Sequence, residues 1–116
     1  MAPRFPVVFA EGWFEQDVDR ASPAGKPIAQ VARARFEREG IDRDDLYGCA
    51  ELGPDNTRLG GCFKTYHDRW GFVWFPILLS DGRPAFRFLA FGVRHHPPNS
   101  HAPTVYQLAH PRRASL

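Results

Sequence analysis

The chain has 116 residues, 43% of them hydrophobic, and a formal net charge of +2 at pH 7. That length makes one domain, residues 1–116, with enough apolar side chain for a modest core. No run of about eighteen apolar residues is present, which excludes a membrane-spanning helix, and Cys49 and Cys62 stand in neither a disulfide-framework nor a zinc-ligand spacing.

The first stretch, MAPRFPVVFAEGWFEQDV, turns acidic early and lacks the apolar centre of a signal peptide, so a cytoplasmic location is expected. Within it FPVVFA (5–10) is short, apolar and bounded by breakers, and predicts a strand. In 11–21, Trp13, Phe14, Val18 and Ala21 recur at helical spacing and predict an amphipathic helix. SPAGKP breaks it, with Ser22 or Gly25 as a cap. A second helix over 28–40 puts Ile28, Val31, Ala32 and Phe36 on one stripe and stops at Gly40. Residues 41–56 predict a loop with a helical turn near Asp44–Tyr47.

From Thr57 the period changes to that of strands. Residues 57–67, 70–79 and 84–94 predict three strands, the last two joined by an Asp-Gly turn. Pro76 in the middle strand implies a bulge or an unpaired edge. Alternation places Arg58, Cys62, Lys64 and Tyr66 on one face, with Leu59, Phe63 and Thr65 turned toward the helices. It likewise groups Phe86, Phe88, Ala90, Gly92 and Arg94. TVYQLAH (104–110) predicts a short helix or strand capped by Thr104 and ended by Pro111. The fold class is α+β, in the order β-α-α-β-β-β with a short C-terminal helix. The helices pack on one face of a small, mainly antiparallel sheet, whose other face is free for binding.

Charge is unevenly distributed. Residues 1–56 hold 7 Lys/Arg against 11 Asp/Glu, whereas residues 57–116 hold 8 against 2 and all five histidines. A basic C-terminal half points to a polyanion. RNA cleavage by internal transesterification needs a base for the 2′-hydroxyl, an acid for the leaving 5′-oxygen and cations for the phosphoryl oxygens. Histidine suits proton transfer and arginine suits phosphate. His67, His95, His96, Arg94 and Lys64 supply these types, Tyr66, Trp70 and Tyr106 supply rings on which an unpaired base can stack, and Arg58, Arg69, Arg112 and Arg113 supply further charge. His101 and His110 are read as incidental. No cofactor or metal is called for.

The layout, with LAFGVR (89–94) followed by VYQLAHPRR (105–113) and the hairpin LGGCFKTYHDRWGFVWFPI (59–77), resembles the RelE/ParE superfamily of bacterial type II toxins. The resemblance implies a RelE-like microbial ribonuclease fold, cleavage of mRNA on the ribosome and a cognate antitoxin as partner. By position it implies that Arg94 contacts the scissile phosphate, that Tyr106 stacks on the substrate, and that Lys64 is the first basic residue of the second strand. Tyr66 stands where RelE has a second lysine. The family's hairpin arginine has no direct counterpart: Gly71 falls near its place, Arg69 substitutes for it only if the turn shifts it, and His67, His95 or His96 would take acid and base roles. Two other readings of the same resemblance are a ParE-like DNA gyrase inhibitor and an inactive, RNA-binding relative.

Overall fold

The computed structural model describes residues 4–10, 12–98 and 100–116. Glu11, assigned above to the first helix, and Asn99, in the 95–103 loop, lie outside them, as do residues 1–3. The fold is α+β, with three helices and a mainly antiparallel mixed sheet of five strands among the described residues. No helix among these residues is long and apolar enough to cross a membrane.

The expected first strand is divided at Pro6. Before it, β1 (Arg4–Phe5) pairs antiparallel with β3 (Ile41–Asp42); after it, β2 (Val7–Val8) pairs parallel with β7 (Pro84–Val93). Proline has no N–H for a ladder, but the Pro6 carbonyl accepts the Phe86 N–H at 3.0 Å. Helix α1 (Trp13–Ala21) buries Phe14, Val18 and, on the same face, Asp17. Helix α2 (Lys26–Glu39) follows Gly25, carries Pro27 in its first turn and ends at Gly40, whose φ of 73° suits glycine. Its buried stripe is Ala29, Ala32 and Phe36, and Val31, expected there, is 71% exposed. Small residues face inward because α2 begins hard against the sheet: a Cβ on Gly25 would stand 2.8 Å from the Trp70 ring.

The sheet order is β2-β7-β6-β5-β4, with β4 at Tyr47–Gly48, β5 at Phe63–His67 and β6 at Trp70–Leu78. Residues 57–62 do not begin the second strand as expected. The Cys62 N–H turns back to the Leu59 carbonyl, and Gly61 adopts φ 83°. Leu59 therefore buries beside Cys62 rather than facing α1 and α2. Pro76 lies past the last residue of β6 that β5 pairs, Trp74, so its missing N–H interrupts no ladder with β5.

A bulge corrects the expected grouping on β7. Val73 pairs with Ala90 and Trp74 with Phe88, which leaves Leu89 as the extra residue. It shifts the phase of alternation. Phe86 and Phe88 pack with α1 and α2, whereas Leu89 and Ala90 pack on the opposite side. That opposite side is not free, as the sequence had suggested. Helix α3 (Val105–Ala114) covers it with Val105, Tyr106 and Ala109. Thr104 caps α3 reciprocally with Gln107: the Gln107 N–H donates to Thr104 Oγ1 and the Thr104 N–H to Gln107 Oε1. Pro111 does not end the helix, which continues to Ala114 and so carries Arg112 onto β7.

Candidate active site

Five of the residues singled out in the sequence line one cavity of about 200 Å³: Lys64, Tyr66, Arg94, His95 and Tyr106. Each arrives by a separate route. Lys64 and Tyr66 alternate along β5 and face α3. Arg94 leaves the end of β7 on the same side because the Leu89 bulge has set its phase. Tyr106 is in the first turn of α3, which Gly92 admits: a Cβ there would lie 3.4 Å from the backbone of Val105.

Arg94 reaches across the central strand. Tyr66 pairs with Gly71 and Gly71 with Gly92, so two glycines stand between β5 and the arginine. A Cβ on Gly71 would sit 3.3 Å from Arg94 Cγ. Through this gap the guanidinium carbon comes to 3.7 Å from the Tyr66 ring centroid. The turn between β5 and β6 is two residues long, with Asp68 at φ 59°. Its carbonyls fix the arginine twice: the Asp68 oxygen accepts Arg94 Nη1 at 3.2 Å, and the Arg69 oxygen accepts the Arg94 backbone N–H at 2.9 Å. Arg94 Nε is buried and has no hydrogen-bond partner among the described residues. An unmade bond to a buried donor costs about 1–3 kcal/mol, so the fork is held short of one acceptor.

The electrostatics favour an anion. Among the described residues no carboxylate lines the cavity. Lys64 Nζ lies 5.7 Å from the Tyr66 ring centroid and 5.4 Å from that of Tyr106. Burial works to lower the Lys64 pKa, but hydrogen bonding to Tyr66 and the charge of the two phenols and Cys49 outweigh it, and the net shift is upward. Burial raises the Tyr106 pKa against the opposing pull of Lys64 and Arg94, the latter also hydrogen-bonded to it. Among the described residues the cavity therefore presents the cations Arg94 and Lys64, the phenols of Tyr66 and Tyr106, and the imidazole of His95.

Other expected site residues are elsewhere. His67 has the opposite strand parity from Lys64 and Tyr66, and packs edge-on between Phe36 and Phe72 on the helix side. Burial, then the charge of Arg35, lower its pKa, while Asp45 opposes them. Arg112 is committed to the interior: it binds Asp17 through two contacts of 2.7 Å and donates to the Leu89 carbonyl at 2.9 Å. The unpaired bulge residue is thus tied to α3 and α1 by one guanidinium. Arg113 lies 5.0 Å from the Phe75 centroid and interacts with the Cys62 thiol. Arg58 is exposed outside the cavity, its N–H donated to His110 Nδ1 at 2.8 Å. His96 contacts the Ala102 carbonyl at 2.9 Å and Asp55 at 3.4 Å. Arg69 and His95 line an adjoining cavity of about 320 Å³. Trp70, named as a stacking ring, is 5% exposed and stacks on Phe91 in the core.

Sequence reasoning missed Tyr47. It stacks on Tyr66 with centroids 5.1 Å apart and planes 23° apart, and is itself 52% exposed. A strand of two residues has too little alternation to be seen, and the sequence puts Tyr47 at the helical turn expected within the 41–56 loop. Against known proteins, no family model matches the chain, and neither a curated protein nor a solved structure matches it.

Proposed function

We propose that the chain is a RelE/ParE-like toxin that cleaves mRNA on the ribosome by 2′-hydroxyl transesterification, and that a separate antitoxin masks it. The observation that carries the reading is the convergence of Arg94, Lys64, His95, Tyr66 and Tyr106 on one cavity that no carboxylate lines among the described residues. A scissile phosphate placed there meets the Arg94 fork, whose Nε lacks an acceptor among the described residues, and the Lys64 ammonium. His95 takes the 2′-hydroxyl proton, since imidazole is the residue type suited to that role near neutrality. The 2′-oxygen bonds to phosphorus as the bond to the 5′-oxygen breaks. The two cations stabilise the charge gathering on the phosphoryl oxygens. The 5′-oxygen leaves against Lys64, takes a proton from the ammonium, and Lys64 recovers it from water. Tyr106, held as the neutral phenol, keeps a hydrogen-bond donor beside the same oxygens.

The antitoxin in this reading brings acidic side chains to the basic half of the chain. The test is cleavage of mRNA on programmed ribosomes by wild type, Arg94→Ala and Tyr106→Ala. Loss of more than about 10² in rate for Arg94→Ala is expected, as for a group acting on transition-state charge. Unchanged cleavage in both variants overturns the assignment. Inhibition of DNA gyrase supercoiling without RNA cleavage would identify the gyrase-directed alternative, and the absence of both activities an inactive RNA-binding relative.

A further inference from the structure

The rings named for base stacking are not free to do it. Tyr106 is 8% exposed. Tyr66 is covered on both faces. A guanidinium carbon 3.7 Å above its centroid leaves no room for a second ring on that face, so Tyr47, approaching from β4, covers the other. Strand order agrees, since β5 lies between β4 and the β6-β7 pair from which Arg94 comes. Arg94, Tyr66 and Tyr47 thus form a column that starts in the cationic cavity and ends on a half-exposed ring.

Beside Tyr47 is a second cleft, of about 350 Å³, that wraps the edge of β5 where β4 stops. Tyr66 lines both spaces and divides them. Their charges differ. In the second cleft Arg4 is paired with Asp42 and Arg35 with Glu39, and Asp45 adds a further carboxylate. A phosphate is disfavoured there, whereas a neutral flat group meets Tyr47 and His67. We propose that Tyr47 is the stacking platform for an unpaired nucleobase whose neighbouring phosphate occupies the Arg94 cavity. The proposal rests on the reading of that cavity as a phosphodiester site and adds the subsite for a base.

The experiment measures binding of an uncleavable 2′-O-methyl single-stranded RNA hexamer by fluorescence anisotropy, and of inorganic phosphate by chemical-shift titration. The proteins are wild type, Tyr47→Leu, Tyr47→Trp and Arg94→Ala. Tyr47 is exposed, so its variants should fold, which circular dichroism checks. Tyr47→Leu is expected to weaken the hexamer about tenfold or more, as for loss of one base stack, and to leave phosphate unchanged. Tyr47→Trp should restore or exceed wild-type affinity. If Arg94→Ala weakens both ligands while Tyr47→Leu weakens neither, the proposal falls and the phosphodiester reading stands. If Tyr47→Leu weakens both equally, the platform is only structural and the proposal falls. If wild type binds neither ligand, both fall.

Discussion

The guanidinium carbon of Arg94 lies 3.7 Å from the centroid of the Tyr66 ring, and the strand that separates the two carries glycine at the crossing. Arginine over an aromatic face gains electrostatically and also fixes the fork in one plane. Gly71 is the condition for this, because a methyl group there meets the arginine stem before anything else, at 3.3 Å. Gly71→Ala should displace the guanidinium from Tyr66. Replacing a strand glycine by alanine gains about 0.5–1 kcal/mol of backbone entropy, which offsets the crowding, so stability should change little. The expected result is loss of the ring-current shift on the Arg94 side chain and at least about a tenfold drop in cleavage, with an unchanged urea midpoint. A retained ring-current shift would show that the gap is not what admits the arginine.

The buried ion pair yields the opposite kind of prediction. Asp17 is 1% exposed and accepts from Arg20, from both terminal nitrogens of Arg112 and from the Phe91 N–H. Removing one partner of such a pair costs about 3–5 kcal/mol, because the other charge is left in the interior. Arg112→Ala and Asp17→Ala should each lower stability by about that amount in urea denaturation. Cleavage per folded molecule should hold in Arg112→Ala, since Arg112 does not line the Arg94 cavity. A stable Arg112→Ala protein with weakened RNA binding would return this arginine to the substrate.

These two cases show what the sequence made legible. The two helices, the strands over 70–79 and 84–94 to within a residue, the second half of the strand expected over 57–67 and the capping threonine follow from local period and turn chemistry, and these are present. The partnership of Arg94 with Lys64 and Tyr66 was legible as a group of residue types. It was not derivable as geometry, because a single unpaired residue, Leu89, decides which face Arg94 takes, and no local pattern in PAFRFLAFGVR marks the bulge. Arg112 is read from the sequence as further charge for the substrate, beyond a helix that Pro111 is expected to end. Its partner lies 95 positions away in the chain, beyond the reach of any periodicity.

His67 should make stability depend on acid. Burial first, and then Arg35, hold its folded pKa below the ordinary histidine value of about 6.5, with Asp45 acting against them. The unfolded chain then binds the proton more readily than the folded one. Stability is therefore lost as pH falls below about 6.5 toward the lowered folded value. His67→Phe keeps a ring between Phe36 and Phe72 and removes the proton site. The fall in urea midpoint between about pH 7 and pH 5 should be smaller in His67→Phe than in wild type. Equal slopes in the two proteins would mean that His67 is protonated as easily folded as unfolded.

Cys49 lines the Arg94 cavity and is only partly buried, yet it should react slowly. Burial pushes its thiol up to about 11, Cys62 adds to the rise and Lys64 pulls the other way. The nucleophile is the thiolate, and a free cysteine with a pKa of about 8.5 is partly ionised at about pH 8. At a pKa of about 11 only about one thiol in a thousand is ionised there. Iodoacetamide labelling of Cys49, followed by peptide mass spectrometry, should be about a hundredfold slower than labelling of the urea-unfolded chain at about pH 8. The rate should climb about tenfold per pH unit until pH nears the raised pKa. Lys64→Met should slow it further, because the neighbouring cation that favours the thiolate is gone. Labelling as fast as in the unfolded chain, or acceleration in Lys64→Met, would contradict a thiol held neutral by burial beside a charged lysine.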